Sequence, residues 1–280
     1  MKKITVFLLS VFTGFIGLAQ IETPAPSPTS TLQQMVGLTE VTVKYSRPSM
    51  RGRTIFGNLV PFGKVWRTGA NANTTVSFSE DVTIAGQSLK PGTYAIYTKP
   101  ASDYWEVYFY TDSNNWGTPQ QWDDTKVAAT ARVPARKTSW PVETFTISID
   151  NVSNNGAGLA MYWENTSVEI PFEVPTKAQA MESIKRVMEG PSANDYFSAA
   201  SYYYQEGLDM NSAKVWADKA VAMNPEAFWM SRLQSLIYAK LGDTKGAIEA
   251  AKKSLAAAQK AGNADYVKMN EDSLKEWGAM

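Results

Sequence analysis

Cysteine and histidine are both absent from this chain of 280 residues. Their absence excludes a disulfide, a thiol nucleophile and a Cys/His zinc site. It also removes the one side chain that ordinarily acts as a base near neutral pH. Any catalysis would have to rest on Asp/Glu, Lys, Tyr or Ser, or on an oxygen-bound metal. An excess of charge is missing too: basic and acidic side chains each number 27. Such a chain carries no global field for nucleic acid or for an anionic membrane. Beyond the N-terminus no apolar run is long enough to span a bilayer.

What is present begins with Met1-Lys2-Lys3 and the apolar run Ile4 to Leu18. A short basic start, an apolar stretch and small residues at Gly17-Leu18-Ala19 follow the plan of a secretory signal peptide over residues 1–19, with cleavage expected after Ala19. The leader takes two lysines and no acid, so the mature net charge becomes −2. With no cysteine at the cleavage site, a lipid anchor is not expected. The reading is an exported chain, periplasmic or associated with the outer envelope, with no transmembrane span once matured. Residues 20–30 are rich in proline and hydroxyls and read as a flexible or polyproline linker.

From residue 31 to 174 the pattern is one of short alternating segments. Val41, Val43 and Tyr45 alternate with Thr42, Lys44 and Ser46, and similar runs cover 75–79, 94–98, 105–110, 145–149, 159–163 and 168–174. β-branched and aromatic residues dominate, punctuated by Gly, Pro, Asn and Asp. Ala85-Gly-Gln and Lys90-Pro-Gly are turn signals, and 150–156 reads as a longer hairpin loop. The expected fold is an antiparallel β-sandwich, jelly-roll-like. After Val174 the period changes. Thr176 with Gln179 suggests a capping box opening a first helix that Gly190-Pro191 ends. Amphipathic stretches follow near 195–207, 212–223, 226–240, 244–260 and 264–277. Tyr204 and Tyr238 lie thirty-four residues apart, as do Ala213 and Ala247. That period makes residues 175–280 a tetratricopeptide-like helical region, a candidate surface for a protein or peptide partner.

The connection from Tyr45 to Thr75 carries the densest candidate chemistry. Arg47, Arg51, Arg53 and Arg67 could grip a carboxylate, phosphate or sulfate through their fork geometry. The alternative is that they pair with Glu143, Glu164 or Glu169 and fasten long loops to the sheet. Trp66, Asn71 and Asn73 could hold a sugar or small polar ligand, or the amides could satisfy backbone groups of a turn. Trp163 and Glu164 end one strand, with the glutamate a plausible partner for Arg67 or Arg47. Trp116 would suit stacking on a sugar, and equally rim packing. Asp112, Asp123 and Asp124 match no calcium-loop spacing and read as solvated turns.

The segments Tyr45-Ser-Arg-Pro-Ser, Arg51-Gly-Arg, Ile55-Phe-Gly and Leu59-Val-Pro-Phe-Gly-Lys-Val-Trp-Arg-Thr-Gly-Ala-Asn71 resemble the secreted bacterial domain-of-unknown-function family 2911. So do Leu89-Lys-Pro-Gly-Thr-Tyr94, Asn115-Trp-Gly117, Val142-Glu-Thr-Phe-Thr146 and Trp163-Glu-Asn-Thr166. The resemblance spans about residues 31–174. It implies an exported β-sandwich that helical repeats sometimes follow, and it transfers no activity, cofactor or catalytic residue. The functional expectation is a non-catalytic binding or scaffold protein for a small polar or anionic ligand, without a cofactor. The alternative is a carboxylate-based hydrolase or carbohydrate-active enzyme using Glu164 with Glu143 or Asp112, which needs two carboxylates facing one cleft.

Overall fold

A computed structural model describes residues 23–188 and 190–280. The signal peptide expected over residues 1–19 lies outside the described residues. The chain divides into two compact units with the boundary between Val174 and Pro175.

The first unit holds two antiparallel sheets. The larger has the order β1 (Thr29–Val36), β2 (Thr39–Ser46), β3 (Thr75–Phe78), β6 (Gly92–Pro100), β7 (Tyr104–Tyr110) and β8 (Val127–Pro134). The smaller runs β5 (Gln87–Leu89), β4 (Val82–Ile84), β10 (Gly156–Glu173) and β9 (Arg136–Asp150). Alternation decides which face is buried: Val41, Val43 and Tyr45 of β2 point inward while Glu40 and Lys44 remain exposed, as the two-residue period of a strand dictates. Val43, Ile96 and Phe109 of one sheet share a core with Phe145, Leu159 and Ile170 of the other. Ala85 and Gly86 both take positive φ, 50° and 75°, which matches the tight turn that twisted hairpin strands require. The side chain of Gln87 joins the sheets at one side: its Nε2 donates to the Thr130 carbonyl at 2.8 Å and its Oε1 accepts from the Thr130 amide at 3.2 Å.

Strand β1 begins at Thr29, inside the stretch read as a linker to Ser30. The described part of that stretch is held down: Arg47 N–H donates to the Pro28 carbonyl at 2.9 Å. Residues 47–74 form no long strand but return to both sheets. Ser49 bridges Thr144 of β9, and Trp66 bridges Thr98 of β6. Between them Ile55 is fully buried in the common core.

Among the described residues the second unit has six helices: α1 (Thr176–Val187), α2 (Ala193–Gln205), α3 (Met210–Met223), α4 (Phe228–Lys240), α5 (Thr244–Lys260) and α6 (Ala264–Glu276). Ser192 and Asp195 form a reciprocal capping box on α2, and Asp209, Asp243 and Asn263 cap α3, α5 and α6. For α1 the cap is Pro175 and carries no side-chain bond, so the box expected from Thr176 and Gln179 does not form. Thr176 instead lies within the first turn and is buried. Ala213 of α3 and Ala247 of α5 are both fully buried, which lets paired helices approach closely. Asp218 of α3 accepts from Tyr238 Oη at 2.6 Å, Gln234 Nε2 at 2.7 Å and Lys214 Nζ at 2.8 Å, tying α3 to α4. No described helix is long and apolar enough to cross a membrane.

Candidate functional site

The connection 47–74, with Pro26 and Ser27, Thr118 and Trp163 of β10, lines a cavity of about 430 Å³. Its floor is aromatic. Trp66 and Trp163 stack with ring centroids 5.8 Å apart and an interplanar angle of 18°. Both indole N–H groups are spent on backbone: Trp66 Nε1 donates to the Gly69 carbonyl at 3.3 Å, and Trp163 Nε1 to the Glu143 carbonyl at 3.2 Å. Trp66 is half-buried and Trp163 almost fully buried, so the pair backs the cavity and leaves it no free donor. Gly69 fits this corner because its φ is +137° and an added β-carbon would lie 3.0 Å from the Ser46 carbonyl oxygen; only glycine takes that backbone without strain.

Arg51, Arg53 and Arg67 stand in the wall of this cavity, and among the described residues no Asp or Glu does. They differ in what they touch. Arg51 donates Nη2–H to the Pro26 carbonyl at 3.0 Å, and its backbone N–H reaches Glu143 Oε1 at 2.8 Å. Arg53 folds back on its own turn, with Nε to the Met50 carbonyl at 2.8 Å and Nη2 to the Ser49 carbonyl at 2.7 Å. Arg67 is half-buried, and among the described residues its guanidinium has neither a hydrogen bond nor an ion pair. Its Nη1 lies against Gly117, where an added β-carbon would be 3.2 Å away. Five N–H donors are thus unspent in a cavity that holds two more positive charges.

The other candidates serve the scaffold. Arg47 donates Nε–H to the Phe145 carbonyl at 3.1 Å and Nη2–H to Thr146 Oγ1 at 2.8 Å, joining the end of β2 to β9. Tyr45 is buried; its hydroxyl accepts from the Ile147 amide at 3.0 Å and donates to the Ile147 carbonyl at 3.3 Å. Asn71, at φ +59°, donates to the Ser27 carbonyl at 3.1 Å and to Ser46 Oγ at 3.3 Å. Asn73 is buried and donates to Tyr97 Oη at 2.9 Å. Trp116 alone stands out in solvent, 76% exposed.

Two expectations need correction. The arginines are not held by carboxylates: the ion pairs among the described residues all involve lysine. Arg47 and Arg53, with Arg51 in part, use backbone carbonyls or a threonine hydroxyl instead. Glu164 is not the partner of Arg67 or Arg47. It sits at a β-bulge between β10 and β9 with φ +55°, and its carboxylate accepts from the Ile55 and Phe56 amides at 3.3 and 3.4 Å. Asp112, Asp123 and Asp124 likewise bond locally, to Lys126, to Thr125 and to Trp122. Among the described residues no cluster of acids could hold a metal ion. Ser27 and Thr118 are among the wall residues that the sequence does not single out, because they come from stretches that read as a linker and as a solvated turn.

Comparison with known families finds that the family described as "Protein of unknown function (DUF2911)" matches residues 27–172. No curated protein matches the chain.

Proposed function

The chain belongs to the DUF2911 family, and from that premise we propose that it is an exported, non-catalytic binding protein whose sandwich captures a small anion in the arginine-walled cavity. The observation that carries this reading is Arg67. A half-buried guanidinium whose donors have no acceptor on the protein is free to grip a ligand, and a carboxylate, phosphate or sulfate would supply those acceptors in fork geometry. Arg51 and Arg53 add charge at the same wall, and the partly accessible Trp66 ring borders it. The hydrolase alternative finds no support. Among the described residues the cavity wall has no carboxylate, and the nearby acids Glu143 and Glu164 already accept from backbone amides.

Two further parts of the proposal rest on sequence pattern. The basic start and apolar run of residues 1–19 support export through a cleaved leader. The thirty-four-residue spacing, with Ala213 and Ala247 buried at matching places in α3 and α5, supports a tetratricopeptide-like unit that engages a protein or peptide. The binding claim is tested by calorimetric titration of the mature protein with inorganic sulfate and phosphate. Saturable binding, weakened about tenfold or more by Arg67→Met, is expected. Affinity unchanged by that substitution would remove the reading. For export, the chain recovered from the cell envelope should begin at Gln20; recovery of an intact Met1 would refute it.

A further inference from the structure

A second cavity, of about 340 Å³, is lined in part by the same chain segments as the first. Its wall is made of hydroxyls and amides, with one indole: Ser113, Asn114, Asn115, Thr93 and Trp116 contribute, beside Lys44. The two cavities are not separate in the chain. The loop 113–118 gives residues 113–116 to the second and Thr118 to the first, and the N-terminal segment gives Thr29 to the second and Ser27 to the first. Between them lies Gly117, against which the unpartnered Arg67 guanidinium rests.

The loop is anchored. The Asn73 amide donates to the Asn115 carbonyl at 3.4 Å, and Tyr97 Oη donates to the Gly117 carbonyl at 3.2 Å. Yet this fixed loop displays Trp116 to solvent, with no ring contact among the described residues. Trp122 on the following stretch does the opposite and packs on Tyr97, Tyr108 and Tyr110. The Asn115 side chain is held by Tyr97, which leaves the Asn114 amide and the Ser113 hydroxyl beside the exposed indole; a ring that covers a C–H face next to an amide and a hydroxyl is an arrangement that recognises a sugar. Lys44 is exposed and has no ion pair among the described residues, so the second cavity also carries positive charge. Each cavity falls near the lower end of ligand-pocket size, roughly 300–1,000 Å³, which suits one sugar ring apiece.

We propose that the two cavities flanking the loop 113–118 are halves of one site, and that its ligand is an acidic saccharide of two or more units. Its carboxylate or sulfate ester sits against Arg67, and a neighbouring ring lies on Trp116. This rests on the anion-binding reading of the first cavity. It adds the chemical class of the ligand and a second contact region.

The test is calorimetric titration of the mature full chain with digalacturonate, a sulfated chondroitin disaccharide, cellobiose and inorganic sulfate. Wild type, Arg67→Met and Trp116→Ala are compared after their melting curves are shown to coincide. At least one acidic disaccharide should bind more tightly than both sulfate and cellobiose. Trp116→Ala should weaken that disaccharide about tenfold and leave sulfate unchanged, while Arg67→Met weakens both. If Arg67→Met matters and Trp116→Ala does not, the saccharide inference is overturned and the anion site stands. Cellobiose binding as tightly as the acidic disaccharides overturns it as well. If Arg67→Met alters no affinity, the anion-binding reading fails and the extension falls with it.

Discussion

Arg47 and Arg67 lie twenty positions apart in one connection, and their surroundings predict opposite effects of the same substitution. Arg47→Met removes two charge-assisted bonds, at 3.1 Å to the Phe145 carbonyl and 2.8 Å to Thr146 Oγ1. It leaves a partly buried carbonyl without that donor. Bonds to a charged group contribute about 1.5–3 kcal/mol each, and part of that is regained by hydration, so a loss of about 2–3 kcal/mol follows. For a unit of this size each kcal/mol moves the midpoint by about 2–4 °C, giving a fall of about 4–12 °C. Arg67→Met keeps the aliphatic stem and removes a charge that has no partner. It also relieves repulsion from Arg51 and Arg53. Its effect should stay within about 0.5 kcal/mol, or about 2 °C, in either direction. Thermal unfolding followed by tryptophan emission reports mainly on the sandwich, which holds six of the nine tryptophans, Trp105 and Trp163 among them buried. If Arg67→Met lowers the midpoint as far as Arg47→Met, Arg67 is a structural residue and the cavity is not a waiting anion site.

Tyr45→Phe should cost about 1–3 kcal/mol, since both Ile147 backbone groups lose their buried partner; a urea midpoint within error of wild type would contradict this. Glu164→Ala should destabilise by a similar amount, about 1–3 kcal/mol, by leaving the Ile55 and Phe56 amides unpaired. Glu164→Gly should retain about 1 kcal/mol more than the alanine variant because it relieves the left-handed backbone, and the reverse order would show that the φ of +55° carries no strain. In the helical unit, burial works against the charge of Asp218, but the bonds from Lys214, Tyr238 and Gln234 outweigh it and hold its carboxyl below the ordinary range. A carboxyl depressed by folding stabilises fully above its unfolded value of about 3.9, and that stability is lost as pH falls through the folded value below it. Helical circular dichroism in urea should therefore weaken below about pH 4, and Asp218→Asn should flatten that slope; an equally steep slope in the variant would refute the assignment.

The sandwich was readable because strand alternation is local. Val41, Val43 and Tyr45 declare a buried face within five residues, and Ala85-Gly86 declares its turn. The helices were readable from period and spacing, while the first cap was not: proline before Thr176 took the cap position. The candidate site was half visible. Arg51, Arg53 and Arg67 stood out by composition, with Trp66 and Trp163. What they touch did not, for a physical reason: their partners are mostly main-chain carbonyls, which every residue carries, and carbonyls leave no signature in a sequence. Ser27 and Thr118 were hidden for a related reason. They join the wall through contacts such as Asn71 to the Ser27 carbonyl and Tyr97 to the Gly117 carbonyl, across separations no short pattern encodes. Glu164 was misassigned because its role follows from a register shift between β9 and β10, which only the paired strands define.

The most direct measurement is a crystal structure of the mature chain grown with selenate and phased on selenium. The account predicts an anomalous peak about 4 Å from the Arg67 guanidinium nitrogens, its oxygens at hydrogen-bond distance, in the cavity walled by Arg51 and Arg53. Arg67 found paired to an Asp or Glu of its own chain, with no peak in that cavity, would contradict it.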